Sequence, residues 1–404
     1  MALVNTLRKG ILRTLVIFVF SIEIQAQVPF LSSDKLIENL RGKDSLVDVV
    51  LENKDSYRFQ LHLSEVKNNQ ITKSVSIGDP KYFYPASLVK LPVALLALEK
   101  IQRLGLDLDC SIEVGNYEPC KSETFISLTK KHPLTFRQLF EELLIVSDNH
   151  HYNTLFHFLS PKEINDALRN KGYKHTHIYR SFEGCDRSKQ LNTAEIIIKN
   201  PKGEKIYVQK QNQMDTSIMQ IHFAYSENRL IGNKRIENRK LVHGPVDFNY
   251  TNEVSLNDAH KIMSEFLFPT KINSVNSWDI NEENRDFIKN CLQKFPREME
   301  KSYHKDYKEI PDNEFKYILI GELTDSIIEK RTFSKIAYSY GFTTETAYIP
   351  IDKDHGFLLS MTIYTNENGI LNDGKYEYTE IARPVFNRIS EMILDLRKIE
   401  IEKK

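Results

Sequence analysis

Apolar and polar positions alternate from Arg58 to Val66 and again from Ile71 to Ile77, after Lys-Asn-Asn-Gln, and this predicts a β-hairpin. From Ser87 to Leu104 the pattern changes: apolar residues crowd every face of the first turns. That predicts a helix buried in the centre of a domain, with Gly105 where a C-terminal cap belongs. Thr135-Phe136-Arg137-Gln138 is a capping box, opening a helix with Phe136, Leu139, Phe140, Leu143 and Leu144. This helix runs into Ser147-Asp148-Asn149, and a shorter one follows from Asn153 to Leu159. Ser160-Pro161-Lys162-Glu163 starts another, closed by Gly172.

Residues 195–250 are polar and strand-like around a turn at Asn200-Pro201-Lys202-Gly203. Ser255 with Asp258 starts a helix that ends near Pro269, and the charged stretch to about 320 predicts no definite layout. Lys335 to Ile349 and Gly356 to Thr365 read as two strands joined by Asp352-Lys353-Asp354-His355. A terminal helix runs roughly from Tyr378 to Glu400, bent or interrupted at Pro384. The expectation is a mixed α/β fold: an antiparallel sheet built from both chain ends, flanked by helices, with a helical block between.

Composition narrows the function classes. Lysine plus arginine and aspartate plus glutamate each count 55, so the formal net charge is zero. Nothing in that balance points to nucleic acid or an anionic membrane as partner. The first 26 residues differ in kind: Arg8, Lys9 and Arg13 precede the short apolar run Leu15 to Phe20, and Ala26 precedes Gln27. This is the layout of a secretory signal peptide. The expectation is a mature chain of 27–404, periplasmic or extracellular, with no membrane anchor after cleavage. It is read as one domain with an insertion at about 195–250 and an irregular segment at about 270–330. In an oxidising compartment Cys110 and Cys120 could pair across a short loop, or all four cysteines could stay as thiols. His150, His151, His157, His175 and His177 lack a helical i, i+4 ligand pair with a carboxylate partner, so no metal is expected. No cofactor is expected either.

Ser87-Leu88-Val89-Lys90 places a hydroxyl and an amine three positions apart at the mouth of the buried helix. Residues at i and i+3 share a helix face, so Lys90 can reach the Ser87 oxygen. A serine hydroxyl is a poor nucleophile until a base takes its proton, and a buried lysine can serve as that base. Alone the tetrapeptide is weak. Ser147-Asp148-Asn149 follows 60 residues later, at the end of a capped helix, and Lys335-Ile336-Ala337 stands on a strand before the terminal helix.

With these three elements in this order, the chain resembles the serine β-lactamase and penicillin-binding protein superfamily, and most of all class A β-lactamases. The likeness covers roughly 58–160 and 330–400. It implies a Ser87 acyl-enzyme, with Lys90 taking the proton and Ser147 relaying one to the leaving nitrogen. It also implies that Asn149 and Lys335 bind substrate, and that the N–H groups of Ser87 and Tyr338 form the oxyanion hole. Class A enzymes deacylate through a glutamate, here Glu183 in Arg180-Ser181-Phe182-Glu183, although an ordinary loop ion pair is the commoner reading of those residues. The family keeps this glutamate closer to a Leu-Asn pair than Glu183 is to Leu191-Asn192. Ile336 stands where the family has a hydroxyl residue, and Ala337 where it has glycine. The implied substrate is a small β-lactam or a peptidoglycan-like amide. Three readings stay open: a β-lactam hydrolase, a D,D-peptidase or esterase, and a penicillin-binding or sensing domain without turnover.

Overall fold

The first strand of the chain lies inside the sheet rather than at its edge. In the computed structural model, β1 (Gln60–Lys67) pairs with β2 (Gln70–Ile77) on one side. On its other side it pairs with a strand from near the C-terminus, β5 (His355–Tyr364). With β3 (Phe333–Ser339) and β4 (Phe342–Pro350) these make an antiparallel sheet ordered β3-β4-β5-β1-β2. The mixed α/β fold with a sheet drawn from both ends is therefore present. The structure describes residues 32–115, 134–182, 192–213, 226–269, 277–302, 306–323 and 330–402. The segment 1–26, Glu183, Cys120 and Cys185 lie outside the described residues.

Leu61 on β1 faces Met361 on β5 and Ile77 on β2, all buried, so the alternation that predicted the hairpin also sets the register. Among the described residues α1 (Ser33–Leu40) and α2 (Ser45–Glu52), capped by Ser32 and Asp44, precede it. After β2 a single 3₁₀ turn, Ala86–Val89, leads into α3 (Lys90–Arg103). This helix is buried on nearly every side because the helices α4 (Phe136–Ile145), α5 (Asn149–Leu159) and α6 (Pro161–Asn170) all pack against it. The Thr135 capping box and the Ser160 N-cap form as their sequences predict.

Helix α7 (Leu256–Leu267) lies on β1, β4 and β5. Its buried His260 is inserted between two strands, with Nε2 2.8 Å from Ser64 Oγ and Nδ1 2.8 Å from Ser360 Oγ. Burial lowers the pKa of this imidazole to about 3, so it is a neutral clasp between β1 and β5. Helix α8 (Glu282–Gln293) occupies part of the stretch for which the sequence predicted no layout. The described residues 195–213 and 226–254 include short ribbons, Ile196–Lys199 with Lys205–Gln209 and Lys234–Glu237 with Lys240–His243.

Two sequence expectations need correction. Lys335 to Ile349 is two strands, not one, because Tyr340 (φ 54°) and Gly341 (φ 83°) make a tight turn. A side chain on Gly341 would begin 2.9 Å from the carbonyl oxygen of Thr365. The turn also carries no Asn or Asp to announce it. The helical run from Tyr378 is continuous across Pro384 and changes there from a π-helical turn, Tyr378–Ala382, to α9 (Arg383–Glu402). Arg383 N–H donates to Tyr378 O, and Pro384, which follows, has no N–H to continue the series.

Candidate active site

Ser87 is presented by a backbone that bends just before it. Ala86 has φ +42°, outside the usual range for a residue with a side chain. Leu88 N–H donates to Pro85 O at 2.8 Å and fixes the turn. One turn on, the first residue of α3 is Lys90, wholly buried. The second element bends in the same manner. Ser147 (φ +57°) joins α4 to α5, and the Asp148 carboxylate caps α5 by accepting from His151 N–H at 2.9 Å. This left-handed residue turns both its carbonyl and its hydroxyl toward Lys90.

Three oxygens surround the Lys90 amine. Nζ donates to Ser147 O and, at 2.7 Å, to Asn149 Oδ1, and it lies 3.2 Å from Ser147 Oγ. Burial drives its pKa well below the ordinary ammonium range, the nearby Lys335 charge adds to this, and Asp148 opposes it. A neutral amine has two protons and one lone pair. The protons serve the two carbonyl-type oxygens, which cannot donate, and the lone pair is left for a hydroxyl.

Lys335 completes the group from β3. Its Nζ donates to Ser147 Oγ at 2.9 Å and to Ile336 O at 3.1 Å, and the residue is 2% exposed. Lys335 is therefore not a surface lysine. Burial, then the Lys316 charge, lower its pKa to about 7, against the attraction of Glu345. Ser147 Oγ thus sits between two amines and can accept a proton from one while offering its own to the other.

Sequence reasoning missed the layer behind this strand. Glu345 on β4 lies opposite Ile336 in register and is fully buried. One of its oxygens accepts the N–H groups of Tyr317 and Ile318, both at 2.9 Å. Lys316 Nζ donates to Leu292 O at 2.6 Å and Ser334 Oγ at 3.1 Å. Burial raises the Glu345 pKa and lowers that of Lys316, while each charge favours the other. Only the buried, mixed character of a Lys and a Glu in strand-rich sequence could have signalled this pair.

His151 was also unassigned. Its ring lies 2.7 Å from Asp148 Oδ1 and 3.3 Å from Glu142 Oε2, all three residues being buried. Burial disfavours the charged ring, but bonding and attraction from the two carboxylates outweigh it and hold the pKa at about 9. Another of the histidines, His157, accepts from Ala194 N–H at 3.1 Å.

Ser87 opens on a cleft of about 390 Å³. Asn149, Phe182 and Tyr338 line it, and so do Val246, Asp247 and Phe248 from the central segment. The insertion therefore forms part of the site. Phe248, Tyr84 and Tyr340 pack ring against ring, with centroids 5.1–5.3 Å apart. Tyr338 borders Ser87, and its hydroxyl donates to Glu314 Oε1 at 2.7 Å. Ile336 is buried on the strand face shared with Ser334 and Tyr338, opposite to that of Lys335. Cys110 and Cys291 are buried free thiols.

Residues 43–220 match the sequence model of the β-lactamase enzyme family, Beta-lactamase2. A search of curated proteins finds no match. Among solved structures, the chain is similar to the β-lactamase from Desulfarculus baarsii, with 13% identity and a TM-score of 0.52 over 90% of this chain and 99% of that one. It is similar to a class A β-lactamase from Bacteroides cellulosilyticus (12%, TM-score 0.50, 91% and 98%). It is likewise similar to the TLA-3 extended-spectrum β-lactamase (14%, TM-score 0.50, 88% and 99%). At these identities the likeness establishes the β-lactamase fold. Within that fold Ser87 and Asn149 line one cleft, and hydrogen bonds link Asn149 through Lys90 and Ser147 to Lys335, 188 residues beyond Ser147. Glu183 alone of the sequence-predicted site residues lies outside the described residues.

Proposed function

We propose that this β-lactamase family member is an exported serine hydrolase that opens β-lactam rings through a Ser87 acyl-enzyme. The observation that carries this reading is the position of Ser147 Oγ, 3.2 Å from Lys90 Nζ and 2.9 Å from Lys335 Nζ, with Lys90 one turn after Ser87. Ser87 Oγ attacks the lactam carbonyl and its proton passes to the neutral Lys90 amine. Charge develops on the carbonyl oxygen, where the N–H groups of Ser87 and Tyr338 stabilise it. As the C–N bond breaks, Ser147 gives its proton to the nitrogen and regains one from Lys90. Lys335 supplies positive charge for the carboxylate of the substrate. Breakdown of the ester needs a water and an acceptor for its proton, the role the family resemblance gives to Glu183. A D,D-peptidase or esterase would use the same first half-reaction.

The test is intact-mass measurement of the mature chain after incubation with benzylpenicillin, alongside turnover of a chromogenic cephalosporin. The expected result is an adduct on Ser87 that is absent from Ser87→Ala, with colour change only where Ser87 is present. No adduct and no turnover by the wild-type chain would overturn the assignment.

A further inference from the structure

The central segment brings a carboxylate into the cleft that opens on Ser87. Asp247 lines that space together with Ser87 and Asn149. It stands on a short ribbon in which Val246 and Asp247 pair with Ile231 and Leu230, and the next residue, Phe248, donates its N–H to Arg229 O at 3.0 Å. The carboxylate is held through one oxygen. Oδ1 accepts from the backbone N–H and from the side-chain amide of Asn249, both at 2.8 Å. Asn249 is itself wholly buried, and its own Oδ1 accepts from Ser226 N–H at 2.7 Å. A carboxylate has about four acceptor positions. Asn249 occupies two of them, and Asp247 is exposed to the solvent of the cleft.

Aromatic rings line the same space. Phe248, Tyr84 and Tyr340, the three rings packed on one another, all border the cleft with Asp247. A carboxylate and an aromatic face share one preference: each attracts a cation, and a substituted ammonium can use both at once. Arg180 lines the cleft as well, so the space carries charges of both signs. The reading above gives the carboxylate of the substrate to Lys335. Asp247 supplies the opposite charge for another part of the same molecule.

Resting on the Ser87 acylation proposed above, we infer that Asp247 selects substrates whose acyl side chain carries an ammonium group, with the Tyr84, Phe248 and Tyr340 rings receiving the apolar part of that side chain. Aminobenzylpenicillin, benzylpenicillin and carboxybenzylpenicillin differ only in the group on one side-chain carbon, so together they isolate the charge. The second-order rate constant for the Ser87 adduct is read by intact mass at pH 6, where amines are protonated and carboxylates ionised. If the adduct turns over, kcat/KM reports the same step. A partly exposed ion pair with a cation–π contact supports roughly three- to thirtyfold. The expected order for the wild-type chain is amino, then benzyl, then carboxy, with amino ahead of benzyl by at least about threefold. Asp247→Asn, whose side-chain oxygen can still accept from Asn249, is expected to bring the amino-to-benzyl ratio close to one, and Asp247→Lys to invert the order. Equal wild-type rates for the three, or carboxy ahead of amino, would overturn the inference and leave Ser87 acylation standing. So would wild-type ratios retained in Asp247→Asn, since a merely structural carboxylate moves all three rates together. No adduct and no turnover with any of the three penicillins would overturn both.

Discussion

Lys335 Nζ lies 2.9 Å from Ser147 Oγ, and this contact joins the edge strand of the sheet to the hinge between two helices. The same oxygen is 3.2 Å from Lys90 Nζ, so the hydroxyl is the single atom shared by both amines. Replacing it should separate binding from chemistry. Ser147→Ala is expected to fold normally and to lose about 10²–10⁴-fold in the acylation rate constant, the usual scale for a displaced proton relay. Stopped-flow acylation by a chromogenic cephalosporin, with circular dichroism as a fold control, checks it. An undiminished rate would remove Ser147 from the relay.

Lys335 should impose an alkaline limit on anionic substrates. Its pKa is lowered to about 7, burial being the main cause, so its positive charge is lost as pH rises through that value. The acylation rate for a carboxylate-bearing substrate should fall above pH 7, while a neutral ester substrate should show no such fall. Lys335→Arg, which stays charged, should remove the alkaline limb. The folded chain binds fewer protons than the unfolded chain between about 7 and the ordinary lysine value of 10.5. This lysine's contribution to stability therefore rises with pH across that range. Rate profiles from pH 5.5 to 9 test the first part, and urea melts of wild type against Lys335→Met test the second.

His151 has the opposite sign. Its folded pKa of about 9 lies above the ordinary 6.5, so its stabilisation is complete below about 6.5 and disappears as pH rises through 9. His151→Leu would leave Glu142 and Asp148 buried without their cation. The expected cost is about 3–5 kcal/mol at pH 6, the usual scale for breaking a buried ion pair, and distinctly less at pH 9.5. Because Asp148 also caps α5, the variant should acylate more slowly as well. Chemical denaturation at both pH values decides the point.

The buried pair behind β3 should respond as a unit. Glu345→Gln keeps an oxygen for the Tyr317 and Ile318 N–H groups but leaves the buried Lys316 charge uncompensated. It should destabilise the fold in urea melts, and adding Lys316→Met should recover part of the loss. Strict additivity in a double-mutant cycle would mean that the two charges do not sense each other.

The sequence carried the parts of this site that are local. The β1–β2 hairpin, the Thr135 capping box and the Ser160 N-cap depend on neighbours within a few residues, and their signals are correspondingly sharp. Ser87, Lys90, Ser147 and Asn149 were legible because each sits at a helix start, where residue type and spacing are constrained. The turn at Tyr340-Gly341 escaped because a tyrosine occupies the left-handed position and contacts more than twenty residues away, at Thr365 and Tyr378, hold it. Glu345 and Lys316 escaped for a similar reason, since burial of opposite charges is decided by packing across β3 and β4. Phe182 reads as an ordinary apolar residue in its own segment. Only Asn153 and Tyr152, brought in from elsewhere, give it a place beside the Lys90 amine.

A sheet that borrows strands from both chain ends also orders events during synthesis. The ribosome finishes Ser87, Lys90 and Ser147 long before Lys335, which follows Ser147 by 188 residues. At about 5–20 residues per second that interval is roughly 10–40 s. Until β3 to β5 emerge, β1 has no β5 beside it and Ser147 has no second amine. The newborn chain therefore lacks the Ser147–Lys335 contact for most of its translation, and the cluster is completed only by the last quarter of the polypeptide.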